Sequence, residues 1–95
     1  MTHELKITCN FFTDIFFLNK NFEIRKNDRD FKVNDTLILK EYDDIEEQYT
    51  GCEAKCKVIY ILKSEEFPQG IKEGYCVMGI KVLEYNDFSE TIKGE

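Results

Sequence analysis

The residues best placed to do chemistry lie in one stretch, Lys20 to Phe31, which reads KNFEIRKNDRDF. Glu23 and Arg25 are two apart. On an extended segment such side chains share a face, while Phe22 and Ile24 share the other. The spacing therefore predicts a carboxylate beside a guanidinium on a polar face, with the apolar face anchored to the core. Lys20 falls at the junction between a helix and this strand and can reach the same region. Tyr49 or Phe31 can add a ring for stacking. A carboxylate accepts a hydrogen bond from an exocyclic amino group such as that of cytosine, and arginine takes phosphate in a fork or stacks on a base. Lys20, Glu23, Arg25, Lys26, Arg29 and Tyr49 are accordingly the candidate ligand-binding residues. Arg29 stands between Asp28 and Asp30, whose charges offset its own. The plainer alternative is an exposed Glu23–Arg25 ion pair, worth about 0.2–1 kcal/mol and nothing more. Lys20 and Glu23 are also the candidate catalytic pair, since a lysine and a carboxylate can shuttle a proton when both are partly desolvated.

Other chemistries find little in the sequence. It holds no glycine-rich phosphate loop, no pair of metal-binding histidines and no nucleophile elbow. No cofactor or metal is expected. The one histidine, His3, is expected on the surface at the edge of a strand. The four cysteines, Cys9, Cys52, Cys56 and Cys76, form no compact CxxC pair, so free, buried or partly buried thiols are expected rather than a zinc site or disulfides. The chain carries 13 basic and 19 acidic residues, a net charge of -6, which argues against a general nucleic-acid coat. A local site remains compatible with that total, because local fields can oppose it. Between Lys20 and Asp35 five basic residues outnumber four acidic ones, whereas Glu41 to Glu53 holds six acidic residues and no basic one.

The elements that must position these groups follow from periodicity. With 95 residues the chain is read as one domain, its tail fraying from about residue 86 unless Phe88 and Ile92 support a short terminal helix. Residues 3–7 alternate and suit a first strand. Phe11, Ile15 and Leu18, broadened by Phe12 and Phe16, mark a helix of two to three turns capped by Thr8 or Asn10, with its aromatics expected in the core. A short strand begins at Phe22 and ends near Arg25 or Lys26, and Asn27–Asp30 is turn chemistry. Phe31 and Val33 return the loop to the core, and Asn34-Asp35 forms a tight turn. Further strands are expected over 36–42, about 53–62 and 75–84. Residues 43–52 and 63–74 read as loops, and Gly79 marks a bulge, bend or close approach. The absence of a strand–helix alternation disfavours a doubly wound sheet. An α+β fold, a small β-barrel of about five to six strands with one or two short helices, is expected. No apolar run is long enough to span a bilayer and the start lacks a secretory pattern, so a cytoplasmic protein without membrane attachment is expected.

The run KNFEIRKNDRDFKVNDTLILKEYD, with His-Glu-Leu-Lys near the start, YTG after the acidic segment and GYCVMGIK near the end, resembles the small bacterial and phage family DUF3850 over roughly residues 3–83. That family in turn resembles the ASCH group of PUA-like barrels, through a lysine, an acidic residue and an arginine after the first helix. The resemblance implies a barrel-like sheet with a helix packed against it and a groove beside that helix. It implies ligands of the RNA, coenzyme-like or modified-nucleotide kind. In the ASCH motif a glycine stands two positions before the lysine; here that position is Leu18, followed by Asn19 and Lys20. The next element, often threonine there, is Asn21. Glu23 and Arg25 keep the acidic and basic positions, and Val33-Asn34-Asp35 replaces a Val-Gly-Asp turn, with asparagine able to take the left-handed backbone glycine would favour. Some ASCH-like enzymes are amidohydrolases acting on acylated cytidine through a lysine, a threonine and a later glutamate. Lys20 is retained, Glu23 occupies the threonine's position, and Glu73 lies in the region of the later glutamate.

Three functions are therefore in view. The first is a binding module for RNA or a small nucleotide. The second is an amidohydrolase acting on a modified nucleoside. The third is a phage-type accessory protein that grips a host protein, its acidic segment Glu41–Glu53 mimicking nucleic acid.

Overall fold

A computed structural model describes residues 1–88 of the chain. Five strands and one helix follow one another as β1 (Thr2–Thr8), α1 (Cys9–Phe16), β2 (Phe22–Lys26), β3 (Thr36–Asp43), β4 (Gln48–Lys63) and β5 (Tyr75–Asp87). They form one sheet in the order β1-β3-β4-β5-β2. β1 runs parallel to β3, and the remaining pairs are antiparallel. The sheet curls because β4 and β5 are long and their ladder breaks register twice, between Lys55 and Cys56 and between Val58 and Tyr60. Bulges of this kind bend a strand and increase its twist. The second break leaves Ile59 unpaired beside Gly79, the position the sequence marks for a bulge. Curling brings the two edge strands to face each other: the Arg25 guanidinium of β2 donates to the Lys6 carbonyl of β1 at 2.8 Å.

The architecture is α+β, but the barrel expected from the sequence is not closed. β1 and β2 share no backbone ladder, and the sheet is an open half-barrel. Its concave side holds the core. Leu5 and Ile7 of β1, Leu37 and Leu39 of β3, Ala54, Cys56 and Val58 of β4, and Cys76, Met78 and Ile80 of β5 alternate inward, and Phe12 and Ile15 of α1 close over them. A fully buried aliphatic or aromatic side chain of this set stabilises the fold by roughly 1.5–3 kcal/mol. The helix is pinned at its end by the Tyr85 hydroxyl, which donates to the Ile15 carbonyl at 2.7 Å.

Several expectations need correction here. Only Phe12 and Ile15 of the helical apolar set are buried; Phe11, Phe16, Phe17 and Leu18 are exposed, since eight helical residues offer the core too narrow a stripe for all of them. The acidic excursion is a tight turn over 44–47, because β4 already begins at Gln48: Gln48 and Tyr49 pair with β3, and Cys52 pairs with β5. Asn86 and Asp87 do not fray but pair with Glu53 and Cys52; the suggested terminal helix through Ile92 lies outside the described residues. Phe31 returns to the core as expected, while Val33 stays half exposed. All four cysteines are free, Cys56 and Cys76 buried and the other two partly so. Among the described residues no helix is long and apolar enough to cross a membrane.

His3 is not a surface residue. It points inward with Leu5 and Ile7, stacks edge-on against Phe31 with ring centroids 4.7 Å apart, and its Nε2 lies 2.8 Å from Asp35 Oδ2. Asp35 also accepts from the Lys32 backbone N–H at 3.0 Å and from the terminal amine at 3.2 Å. Burial pushes the Asp35 pKa up, but these donors outweigh it and hold the carboxyl below its usual value. A carboxylate with a depressed folded-state pKa adds stability that is present above its unfolded value, near 3.9, and is lost as pH falls through the folded one. Asp35→Asn is therefore expected to lower stability at neutral pH by about 1–3 kcal/mol, the cost of impairing buried bonds to a charged group. In urea unfolding, the gap between wild type and variant should shrink as pH is taken below the unfolded carboxylate value; a gap that stays constant into acid would show that the charge on Asp35 contributes nothing.

Candidate functional site

The helix and the strand after it are joined by a turn that places Lys20. Backbone N–H groups of Asn19 and Lys20 both donate to the Asp14 carbonyl, at 2.9 and 3.1 Å, folding the chain back over the end of α1. Leu18 takes a left-handed backbone with φ 61° to make this reversal. The chain then enters β2, which pairs with β5 through Phe22 with Gly79, Glu23 with Met78, and Arg25 with Cys76. Directly opposed residues in a ladder point to the same face. Met78 and Cys76 face the core, so Glu23 and Arg25 do too.

This inverts the expected orientation of β2. Glu23 is buried, with 4% of its surface exposed, whereas Phe22 and Ile24 lie on the outer face at 41% and 58%. The polar pair lines the concave side and the apolar pair meets solvent. The expected neighbourhood of charges is nonetheless present. Lys20 Nζ contacts Glu23 Oε1, and Arg25 Nε donates to Glu23 Oε2 at 2.8 Å. Lys20 Nζ also donates to the Phe22 carbonyl at 2.7 Å, and Arg25 Nη2 to the Lys6 carbonyl. The carboxylate is clamped between two cations and sits inside the fold, so the exposed ion pair of the plainer reading is excluded.

These groups border a hollow of about 670 Å³ between the edges of the half-barrel. Lys6, Ile7 and Thr8 of β1 form one wall and Phe22, Glu23, Ile24 and Arg25 of β2 the other, with Phe11, Asp14, Asn19 and Lys20 from the helix and turn at its end. The Lys20 ammonium stands 5.4 Å from the Phe11 ring centroid and 5.1 Å from that of Phe22, which makes a cation flanked by two rings. Beneath lies Cys56, whose thiol is pushed up to about 12 by burial first and by the Glu23 carboxylate second, with Lys20 opposing. That thiol is protonated at neutral pH and is no nucleophile.

Of the six candidate residues, Lys20, Glu23 and Arg25 meet at this hollow. Lys26 ends β2 on the outer, exposed face and does not line it. Arg29 is placed otherwise than the sequence implies: its Nη1 donates to the Glu4 carbonyl at 3.0 Å, while Asp30 pairs with Lys32 instead. Tyr49 lies elsewhere, set edge-on to Tyr42 with centroids 5.1 Å apart and lining a second hollow of about 170 Å³ with Lys40, Glu41 and Cys52. Phe31, the other ring considered, is buried against His3. The rings that border the hollow are instead Phe11 and Phe22, both expected in the core from the sequence. For Phe11 the signal lies in the surplus of aromatics on a helix of barely two turns; for Phe22, on β2, the sequence carries none. Among the described residues no cluster of three or more histidine, cysteine or acidic side chains has the geometry of a metal site.

A family model described as a domain of unknown function, DUF3850, matches residues 2–80, which takes in every residue that borders the larger hollow. No curated protein matches the chain.

The clamp has a measurable consequence. Side-chain exposures of 15% for Lys20, 5% for Glu23 and 25% for Arg25 leave the two cations little solvent to fall back on. Breaking such a pair from one side costs more than the pair contributes, because the remaining charge is stranded. Glu23→Ala should lower unfolding free energy by about 3 kcal/mol, whereas Arg29→Ala, which removes one exposed bond to a carbonyl, should cost about 1 kcal/mol. Denaturant unfolding of both variants at neutral pH checks this, and equal losses would contradict a buried clamp.

Proposed function

The chain belongs to the DUF3850 family, and we propose that it binds a nucleotide, free or within RNA, in the hollow between β1 and β2. The observation that carries this reading is the pairing of two exposed rings, Phe11 and Phe22, with two cations, Lys20 and Arg25, around one open space. A base needs an apolar or aromatic face to stack on, and its phosphate needs donors. A hollow of about 670 Å³ falls within the usual range for a small-ligand site, roughly 300–1,000 Å³.

The likeness to the ASCH group of PUA-like domains gains support from two backbone positions. Leu18 stands where the ASCH motif has glycine, and Asn34 where its turn has glycine; both take left-handed conformations, with φ 61° and 78°. Glycine adopts such angles without steric cost. The motif's backbone geometry is thus compatible with this chain even where its residues differ. Glu23, with one cation on each oxygen, acts in this reading by holding Lys20 and Arg25 in position, more than by reading a base directly.

The amidohydrolase alternative uses the same space and has one observation in its favour, the Thr8 hydroxyl on the wall opposite Glu23. That hydroxyl donates to Asn10 Oδ1 at 2.8 Å, and Lys20 Nζ donates to two acceptors. The arrangement suits recognition better than proton abstraction. A role as a host-protein ligand draws on the acidic turn after β3, which lies away from this hollow.

Phe11 offers the cleanest test because it is half exposed and outside the core. Phe11→Ala should weaken nucleotide binding about tenfold or more, the worth of one base-stacking contact, and leave thermal unfolding nearly unchanged. Tyr49→Ala should alter neither binding nor the hollow. Calorimetric titration of wild type and both variants with a panel of ribonucleotides decides it: if affinity is indifferent to Phe11 and falls with Tyr49, the wrong hollow has been chosen.

A further inference from the structure

Resting on the nucleotide reading above, we infer that the preferred occupant is a free nucleoside monophosphate, not an internal nucleotide of an RNA chain. The argument begins with the hydrogen-bonding capacity left after the protein's own bonds are made. A lysine ammonium has three N–H groups and a guanidinium five. Lys20 directs two of its own at the Phe22 carbonyl and Glu23, and Arg25 directs one at Glu23 and one at the Lys6 carbonyl. One donor on Lys20 and three on Arg25 remain. Both Glu23 oxygens already accept from a cation. The floor of the hollow therefore offers donors in excess and calls for a ligand rich in acceptors.

Charge narrows the class. The charged groups directed at the hollow are Lys20 and Arg25 against Asp14 and Glu23, while the Lys6 ammonium stands over the Tyr42 ring, 4.1 Å from its centroid, so the site is locally neutral in a chain of net charge -6 and the spare donors face little competing negative charge. A terminal phosphate monoester brings about 1.5–2 negative charges and three acceptor oxygens to such a spot. An internal phosphodiester brings one charge and two free oxygens, and the chain on either side must continue over the protein. Among the described residues no cationic track leads from the hollow to receive it: Lys26 and Arg29 lie outside the hollow, Arg29 is bonded to β1, and every charged side chain from Glu41 to Glu53 is acidic. Polynucleotide affinity depends on several neutralised phosphates in a row. Asp14, which shares the hollow, supplies the acceptor that an amino or ribose hydroxyl group at the other end of one nucleotide would use.

The experiment compares four probes at near-physiological salt: a nucleoside, its 5′-monophosphate, a trinucleotide without terminal phosphates, and inorganic phosphate. The monophosphate is expected to bind about tenfold or more tighter than each of the others, a difference that Arg25→Gln removes. Because Arg25 also joins the two edges, a second measurement uses the wild-type protein alone. Monophosphate affinity should rise between about pH 5.5 and pH 7.5, as the second phosphate proton, with its pKa near 6, is lost, while nucleoside affinity should not. A nucleoside or inorganic phosphate that matches the monophosphate, a flat pH profile, or a trinucleotide that binds more tightly overturns the monophosphate inference while leaving nucleotide binding in place. Failure of the nucleoside, the monophosphate and the trinucleotide alike to bind overturns both.

Discussion

The fold depends on how an unfinished sheet deals with its two free edges. A strand at an edge presents carbonyl and amide groups with no partner, and these must be met by something. A closed barrel would meet them with a ladder between β1 and β2. Here side chains do so instead. Arg29 takes the Glu4 carbonyl and Arg25 the Lys6 carbonyl, two residues apart and hence on the same side of β1, while Lys20 takes the Phe22 carbonyl of β2. Arg25 and Arg29 thus stitch a seam that, among the described residues, no backbone hydrogen bonds close, while Lys20 satisfies a carbonyl on its own side of it. A side chain is longer than the gap between paired strands, so a seam made this way leaves space, and the larger hollow is that space.

Cations gathered at a half-buried seam need a counter-charge, and this explains the odd placement of Glu23. A carboxylate on the concave face of a sheet would ordinarily be costly. Between Lys20 and Arg25 it is compensated on both oxygens, and it fixes their side chains where their remaining N–H groups can be used. Buried ion clusters of this type add little net stability relative to an apolar replacement. Their value here is geometric. The same network that holds β1 to β2 keeps two half-used donors beside two exposed rings.

Much of this was legible in the sequence. Strand positions followed from alternation, the helix from its apolar spacing, and the meeting of Lys20, Glu23 and Arg25 from their separation by three and two residues. Alternation, however, shows that a strand has two faces and not which one is inside. The usual assumption puts Phe22 and Ile24 inward, and it fails because β2 is an edge strand whose inner face looks onto a polar seam. Tyr49 departs from its expected place for a related reason: it sits near the far end of a hairpin, and its position depends on how far β3 and β4 extend, which an acidic composition conceals. His3 and Asp35 could not be paired from the sequence, since their contact depends on the parallel register of β1 against β3, which sets His3 opposite Leu37. The sequence neighbours of Arg29 point to Asp28 and Asp30, whereas its partner lies 25 residues away on β1.

Scaffold and recognition are usually assigned to different residues; in the nucleotide reading proposed above, one set serves both. A guanidinium has more donors than a pair of edge contacts can use, and they leave it in one plane in fixed directions. Spending one on Glu23 and one on the Lys6 carbonyl sets the plane and leaves the rest aimed by the scaffold. An arginine free on the surface would lose conformational freedom each time it met a ligand; Arg25 has already lost it on folding. Lysine obeys the same logic more loosely, its ammonium held by two acceptors and flanked by Phe11 and Phe22. The cost is that neither cation can be altered without disturbing the edges of the sheet. Phe11 is under no such constraint. It stands at the rim, half exposed and outside the core, so its contribution to the hollow can be separated from its contribution to the fold.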